Sequence, residues 1–371
     1  MKSSQLNPGE NLIFLLRELY DKYGYSRYKM NKFEEYDLYA KNKDFLISDG
    51  VITFTDTNGK LMALKPDVTL SIVKNTKDSG NTVQKLYYNE NVYRVSKGTS
   101  SFKEITQVGL EAIGNIDEYC IFEVISLAVK SLVCAEKNCI MEISHLGLLS
   151  DIINYAGVPK SEIKKVIHFI GEKNVHELLA FCHTLGIEKE KAEFLANTAK
   201  IYGTPGDVLP WIRENLKDIA DEKNIEIFEN VMTALNQEEN GDVIRIDFSV
   251  VDDLRYYNGF VFKGFAEGVP TSVLSGGQYD ALMKNMKRQS GAIGFAVYLD
   301  SFESTASSEY DVDVLLVYSK NADIALLKKT ADEIIAKGES VLMQTEKPDG
   351  IKYKRLLIEK DGEVVCVENN A

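Results

Sequence analysis

The sequence DDLRYYNGFVF at Asp252–Phe262, together with SGGQYDALM at Ser275–Met283, decides how the rest of the chain is interpreted. The first stretch is dense in Tyr, Phe and Val and predicts a strand, with Asn258-Gly259 where another group must approach the backbone. The second opens with a glycine pair, which permits positive φ and predicts a turn. Tyrosine hydroxyls beside such a turn suit a pocket for a small polar molecule. A core strand followed by an ordinary turn would give the same pattern.

Length, composition and net charge limit the classes of protein to which this chain can belong. The 371 residues suggest two or three domains, and the apolar fraction of 44% is ample for a sizeable core. The formal net charge is −13 with the acidic residues spread along the chain, which argues against a nucleic-acid-binding surface. No Walker loop and no GxGxxG occurs, so no nucleotide cofactor is expected.

Cysteine and histidine usage indicates the compartment. The five cysteines form no CxxC pair and the four histidines show no zinc-site spacing, so we expect free thiols and no metal. The N-terminal residues lack the apolar run of a signal peptide or membrane helix. These features predict a cytoplasmic protein without a membrane segment.

A rigid turn near residue 66 carries two polar side chains. Asn58-Gly59 between two strand-like runs predicts a hairpin, and Pro66 after it presets a turn. Asp67 and Thr69 can cap the helix that follows. Alternatively, the carboxylate and the hydroxyl receive a ligand ammonium group.

Two segments, Gln84–Arg94 and Glu104–Gly114, predict an antiparallel pair of strands. Alternation along the second places Gln107 and Glu111 on one face, on either side of a glycine. This face is either the floor of a ligand site, with an amide and a carboxylate at its rim, or an ordinary polar outer face. Arg94, at the end of the first strand, could reach the same floor.

The remaining pattern divides the chain into parts. Residues 150–238 show helical periodicity, including one long predicted helix over Trp211–Asn236, and we interpret them as a helical insertion. The core is then formed by residues 1–149 and 239–305. Beyond a small, polar linker, alternating patterns predict a small α/β domain over residues 311–371.

Four segments, Lys65–Leu70, Tyr87–Gly114, Asp252–Gly264 and Ser275–Gly294, resemble the catalytic core of the histidyl-tRNA synthetase family in sequence and in order. The resemblance is closer still to a paralogous family, the regulatory subunits of ATP phosphoribosyltransferase. It implies an α+β fold, with a class II aminoacyl-tRNA synthetase-like antiparallel sheet, flanking helices, a helical insertion and a small C-terminal α/β domain. It also implies a homodimer through the core.

The resemblance also implies a ligand, L-histidine, and the residues that bind it. These residues are Asp67, Thr69, Arg94, Gln107, Glu111, Tyr256 and Tyr257. In the family, Asp67 and Thr69 match positions that hold the ammonium group, and Tyr257 matches the tyrosine that contacts the imidazole. An imidazole needs an acceptor for its N–H and a partner for its second nitrogen, and a carboxylate and a phenol can supply both.

The sequence departs from the synthetases where they handle ATP. Asp252 stands where they have a catalytic arginine, and Asp300-Ser301 stands where a Glu-Arg pair grips ATP. Loss of such cations should abolish adenylate formation, since one oxyanion donor contributes roughly 3–4 kcal/mol to transition-state stabilisation. The resemblance therefore implies no catalytic residue and no cofactor.

Three functions fit this pattern. The first is a non-catalytic regulatory subunit, which a short-form ATP phosphoribosyltransferase catalytic subunit needs for activity and for histidine feedback inhibition in the first step of histidine biosynthesis. The second is a divergent histidyl-tRNA synthetase. The third is an amino-acid-binding module with another partner.

Overall fold

The computed structural model describes residues 8–43, 50–78, 82–95, 101–251, 257–303, 310–360 and 362–370. The chain divides into two compact units, residues 1–305 and 306–371. Within the described ranges, no helix combines the length and the apolar character needed to cross a membrane. Each unit is considered by itself below.

Twelve strands lie in the described part of the first unit. They are β1 Ser26–Arg27, β2 Phe33–Glu35, β3 Thr53–Thr55, β4 Leu61–Leu64, β5 Val83–Val95, β6 Phe102–Gly114, β7 Cys139–His145, β8 Tyr202–Gly203, β9 Ile244–Asp247, β10 Phe260–Ala266, β11 Leu274–Gln278 and β12 Gly291–Tyr298. Nine of them form one sheet in the order β1-β5-β6-β12-β11-β10-β7-β9-β8, and β2-β4-β3 form a small one. The pairs β1–β5 and β7–β9 are parallel and the other pairs of the large sheet are antiparallel. The predicted fold class is confirmed.

The helices of this unit flank the sheet. They are α1 Pro8–Lys22, α2 Tyr36–Lys41, α3 Thr69–Asn75, α4 Glu118–Ala135, α5 Leu146–Ala156, α6 Ile163–Gly171, α7 Val175–Thr184, α8 Lys189–Thr198, α9 Pro205–Leu216, α10 Glu222–Asn236, α11 Asp280–Asn285 and α12 Asp300–Glu303. Asp117 begins α4 by accepting a hydrogen bond from the backbone N–H of Cys120 at 2.8 Å.

The core of this unit lies on both faces of the large sheet. On one face, Val108 and Leu110 of β6 are fully buried in a cluster that includes Leu16 of α1 and Val124 of α4. A second cluster on the other face joins α3, α11 and the small sheet. The polar side chains of β6 that the sequence singled out, Gln107 and Glu111, lie between the sheet and this second cluster.

Three predictions about local structure are wrong. The glycine pair Gly276-Gly277 lies within strand β11 rather than in a turn, because the glycines are needed for close contact: a Cβ on Gly276 would lie 2.5 Å from the carbonyl oxygen of Gly294. Strand β10 begins at Phe260, so residues 257–259 of the strand predicted over Asp252–Phe262 precede it, and residues 252–256 lie outside the described residues. The long helix predicted over Trp211–Asn236 is two helices, because Asp221 caps a new start by accepting from the N–H of Lys223 at 2.9 Å.

The predicted insertion belongs to the first compact unit. Helices α6–α10 and the greater part of α5 come from it, and it also contributes strand β8, which pairs with β9 at the edge of the large sheet. No strand was predicted in this stretch, since two residues are too few to show alternation. The division of this unit into core and insertion stays a prediction.

The second unit is a small α/β unit. It contains β13 Val312–Val317, α13 Ile324–Ala336, β14 Val341–Gln344, β15 Tyr353–Lys360 and β16 Glu363–Asn369. The sheet order is β14-β13-β15-β16, with β16 antiparallel at the edge. Asp323 caps α13 by accepting from the N–H of Ala325 at 2.8 Å.

Candidate functional site

A cleft opens on the face of the large sheet that carries the polar side chains of β6. It holds about 400 Å³ of space, counting the part open to solvent. Its lining side chains come from the start of α3, from strands β5, β6, β11 and β12, and from the segments before β10 and α11. The polar members of this lining are Asp67, Thr69, Tyr88, Arg94, Gln107, Glu111, Tyr257, Ser275, Tyr279 and Tyr298.

Small residues make the floor of the cleft. Strand register places Gly109 opposite Ala296, and Gly294 opposite Glu111. A Cβ on Gly109 would lie 2.2 Å from the carbonyl oxygen of Phe295 and 2.6 Å from the hydroxyl of Tyr88. A Cβ on Gly294 would lie 1.8 Å from Oε2 of Glu111. Glycine is therefore required at both positions, because the neighbouring polar groups occupy the space of a side chain.

Glu111 lies at the buried end of the cleft and is 2% exposed. Its two carboxyl oxygens each accept a hydrogen bond, Oε1 from the Thr69 hydroxyl at 2.9 Å and Oε2 from the Tyr279 hydroxyl at 2.6 Å. Burial raises its pKa to about 8, and the charge of Asp67 acts in the same direction, while the two hydroxyls oppose the shift. Among the described residues, the carboxyl group is thus held in position by two hydroxyls and not by a cation.

Asp67 is also buried, at 5% exposure, and it both caps a helix and lines the cleft. Its Oδ1 accepts from the backbone N–H of Leu70 at 2.9 Å, so it caps α3 as one of the two sequence interpretations proposed. It lines the cleft as well, so it is also placed where the other interpretation needs it. Burial raises its pKa, and the hydrogen bond to Leu70 and the charge of Arg94 partly offset that shift.

The mouth of the cleft is formed by partly exposed polar groups. Arg94 is oriented by a hydrogen bond from its Nε to the carbonyl oxygen of Pro66 at 3.0 Å. The hydroxyls of Ser275 and Tyr298 lie 2.6 Å apart. The ring of Tyr257 lies over Gly277, where a Cβ would come within 2.7 Å of it. The cleft therefore has an acidic buried end and an outer end that carries a guanidinium group.

The structure brings together six of the seven predicted site residues. Along the cleft they are Asp67, Thr69, Arg94, Gln107, Glu111 and Tyr257. Gln107 and Glu111 are buried at 3% and 2% exposure, so their face of β6 is not an exposed outer face. Tyr256 and Asp252 lie outside the described residues. The binding roles of these side chains remain predictions.

The sequence interpretation did not assign three further tyrosines that line the cleft, Tyr88, Tyr279 and Tyr298. Tyr88 contacts the cleft because β5 pairs it with Gly109, and Tyr298 does so because β12 pairs it with Gln107. Tyr279 donates directly to Glu111. Alternation on β5 could have indicated Tyr88, since it shares a face with Arg94. The other two depend on contacts between segments far apart in the sequence.

Asp300 is the first residue of α12, and the sequence resemblance implied an ATP-binding pair at this position. Its Oδ1 accepts from the backbone N–H of Thr106 at 3.2 Å. The carboxylate therefore ties the start of α12 to β6.

The strand order, the antiparallel pairing and the cleft beside β6 define the class II aminoacyl-tRNA synthetase-like fold. Residues 4–302 match the family model described as histidyl-tRNA synthetase, and the chain belongs to this family.

Individual relatives carry the name of a regulatory subunit or of a complex that contains one. An ATP phosphoribosyltransferase regulatory subunit from Oceanobacillus iheyensis is 24% identical over 94% of this chain and 87% of its own length. A crystal structure titled ATP phosphoribosyltransferase regulatory subunit/histidyl-tRNA synthetase, from Bacillus halodurans, has a TM-score of 0.73 at 21% identity and covers 95% of this chain and 93% of that one. The ATP phosphoribosyl transferase (HisG:HisZ) complex from Thermotoga maritima gives a TM-score of 0.60 at 20% identity over 78% of this chain and 97% of that chain.

Proposed function

We propose that this chain is a non-catalytic regulatory subunit of ATP phosphoribosyltransferase. A short-form catalytic subunit would need it for activity and would receive histidine feedback inhibition through it. The observation that carries the proposal is the composition of the cleft. Its buried end holds the acidic and amide groups that suit an amino acid. Outside this lining, the sequence has Asp300 where the resemblance to the synthetases implies part of an ATP-binding pair.

The cleft suggests how L-histidine would bind. Asp67 would accept from the ligand ammonium group, and Glu111 would accept from a ring N–H at the buried end. The ligand carboxylate would then point to the mouth, toward the guanidinium of Arg94. This order matches the charges along the cleft, because the two buried carboxyls lie on the inner side and the guanidinium lies at the mouth.

The partner in this proposal is the catalytic subunit of a short-form ATP phosphoribosyltransferase. The relatives named as regulatory subunits and the solved structure of the HisG:HisZ complex support that choice. Phosphoribosyl transfer would take place in the partner, and this chain would form a homodimer through its core within a larger cytoplasmic hetero-oligomer. Inhibition requires histidine to bind two states of that assembly with unequal affinity.

A reconstitution assay tests the proposal. The chain is mixed with a short-form catalytic subunit, and phosphoribosyl-ATP formation from ATP and phosphoribosyl pyrophosphate is followed with and without histidine. We expect activity that depends on this chain and falls when histidine is added. Activity that is indifferent to the chain, with no inhibition, would refute the proposal.

A pair of variants locates the inhibition. Glu111→Gln should raise the histidine concentration needed for half inhibition by about 10- to 100-fold, since a hydrogen bond to a charged group contributes roughly 1.5–3 kcal/mol. The matched control is Glu226→Gln, because Glu226 is an exposed residue of α10 outside the cleft. Equal inhibition of both variants would place the histidine site elsewhere.

A divergent histidyl-tRNA synthetase is the second candidate, and the family match itself favours it. Such an enzyme would form histidyl-adenylate, so it would catalyse histidine-dependent exchange of pyrophosphate into ATP. We expect no exchange above a no-enzyme control, because of the anion at Asp300. Measurable exchange would favour the synthetase.

A further inference from the structure

One lysine in the turn before α3 is completely buried. Lys65, the residue before Pro66, is 0% exposed. Its Nζ donates to Oε2 of Glu90 at 2.8 Å, and Oε1 of Glu90 accepts from the backbone N–H of Met30 at 3.3 Å. Taking these charges out of water costs free energy, and an apolar pair of similar volume often stabilises a fold equally well or better. Stability alone therefore does not explain why a lysine stands here.

The main chain of this turn is bonded to strand β5 at two consecutive residues. The carbonyl oxygen of Lys65 accepts from the backbone N–H of Tyr93 at 2.8 Å. The carbonyl oxygen of Pro66 accepts from Nε of Arg94 at 3.0 Å. The ammonium group of Lys65 adds a third link, because its carboxylate partner also lies on β5. Asp67 follows directly in the sequence, so the place of its carboxyl group depends on these three links.

Glu90 lies on the face of β5 that borders the cleft. Strand register pairs it with Gln107 of β6, and pairs Tyr88, two residues earlier, with Gly109. Side chains two residues apart in a strand share a face, and directly paired side chains lie within reach of each other. The ion pair with Lys65 therefore connects the turn to the strands that form the floor of the cleft.

We propose that the ion pair of Lys65 and Glu90 positions the turn so that the Asp67 carboxyl group meets the ammonium group of the ligand. This inference rests on the proposed function, because it is histidine that brings an ammonium group to Asp67. Neither side chain of the pair lines the cleft as the structure describes it, so the pair acts through Asp67. A charged hydrogen bond between two backbone segments favours one geometry, and an apolar pair in its place lets the turn shift.

Two ligands distinguish positioning from general support of the fold. L-Histidine and 3-(imidazol-4-yl)propionate differ only in the ammonium group, and each is titrated calorimetrically into the wild type and into Lys65→Met. The variant keeps an unbranched side chain and loses the charge. We expect its affinity for L-histidine to fall about 30-fold, because a hydrogen bond to a charged group is weakened, and its affinity for the analogue to fall about threefold or less.

Lys85→Met is the matched control. Lys85 lies on the same strand with its side chain on the opposite face, where its Nζ donates to Oε1 of the buried Glu123 at 2.5 Å. This variant also leaves a buried carboxylate without its lysine, so a loss of affinity that comes from a destabilised fold should appear in it too. We expect it to bind both ligands within about twofold of wild type, because its side chain points away from the cleft.

A double variant, Lys65→Met with Glu90→Gln, provides the test if the single variant does not fold. It removes both charges, so neither is left buried without its partner, and the glutamine keeps an oxygen for the N–H of Met30. We expect the double variant to regain most of the Tm that the single variant loses. Its affinity for L-histidine should nevertheless stay about tenfold below that of the wild type.

The outcomes separate this inference from the proposed function. Equal losses for the two ligands in Lys65→Met, or recovery of L-histidine affinity together with Tm in the double variant, would overturn the positioning role and leave the pair as a support of the fold. If the wild type binds L-histidine and not the analogue, the double variant alone decides. No binding of L-histidine by the wild type would instead overturn the proposed function.

Discussion

Both faces of strand β6 are buried over residues 107–114, and they differ in chemistry. On one face Val108 and Leu110 pack with α1 and α4, and their burial stabilises the fold. On the other face Gln107 and Glu111 are almost as inaccessible, yet they are polar, and a buried carboxyl costs free energy unless it is well bonded. The difference indicates that the first face serves folding, and it supports the proposal that the second face binds a ligand that completes its hydrogen bonding and charge.

The largest effect is expected on the apolar face. Leu110→Ala should lower the free energy of unfolding by about 3 kcal/mol, because it leaves a cavity in a fully packed cluster. Denaturant unfolding measures the loss. Histidine affinity of the folded variant should stay within about twofold of wild type, since the side chains of Leu110 and Glu111 lie on opposite faces of β6. A large loss of affinity would mean that the two faces are not independent.

Gly294→Ala should displace the polar side chains on the second face of β6. Its Cβ would lie 1.8 Å from Oε2 of Glu111 and 2.5 Å from the carbonyl oxygen of Leu110, so the carboxyl group must move. We expect about a 100-fold loss of histidine affinity, measured by calorimetry, which corresponds to roughly 2.7 kcal/mol. Gly206→Ala is the control, because the nearest atom to its Cβ is at 3.8 Å. Unchanged binding by the first variant would show that Glu111 does not contact the ligand.

Glu111→Gln should change the free energy of unfolding of the purified chain in a pH-dependent way. The pKa of Glu111 rises from 4.5 to about 8 on folding. Between these pH values the folded chain holds a proton that the unfolded chain has lost, so this group stabilises the fold at low pH and that stabilisation is lost as the pH rises to about 8. The variant should therefore gain stability relative to the wild type as the pH rises from about 5 to about 8, because it has no proton to lose over this range. The same difference in Tm between the variant and the wild type at both pH values would contradict this prediction.

The smallest effect is expected at the mouth. Tyr298→Phe removes the hydroxyl that bonds to Ser275 at 2.6 Å but keeps the ring. Because both residues are partly exposed, water can replace the lost partner, and the change in histidine affinity should be about threefold or less. A loss comparable with that of Gly294→Ala would show that the mouth, rather than the buried end, fixes the ligand.

The sequence predicted those parts of the site that depend on local pattern. Alternation along β6 separated the two faces correctly, and it placed Gln107 and Glu111 together. The glycine pair of β11 was misinterpreted because a single sequence does not distinguish glycine used for positive φ from glycine used for close contact. Tyr279 was missed as a donor to Glu111 because that contact joins residues 168 positions apart in the sequence.

Separate titrations of the purified chain with histidine and with ATP test the central claim most directly. The claim is that the cleft recognises an amino acid and has no site for a triphosphate. We predict saturable calorimetric binding of histidine that Gly294→Ala abolishes or strongly weakens, and no saturable binding of ATP with or without histidine. Binding of ATP that strengthens when histidine is present, or no binding of histidine at all, would contradict the account.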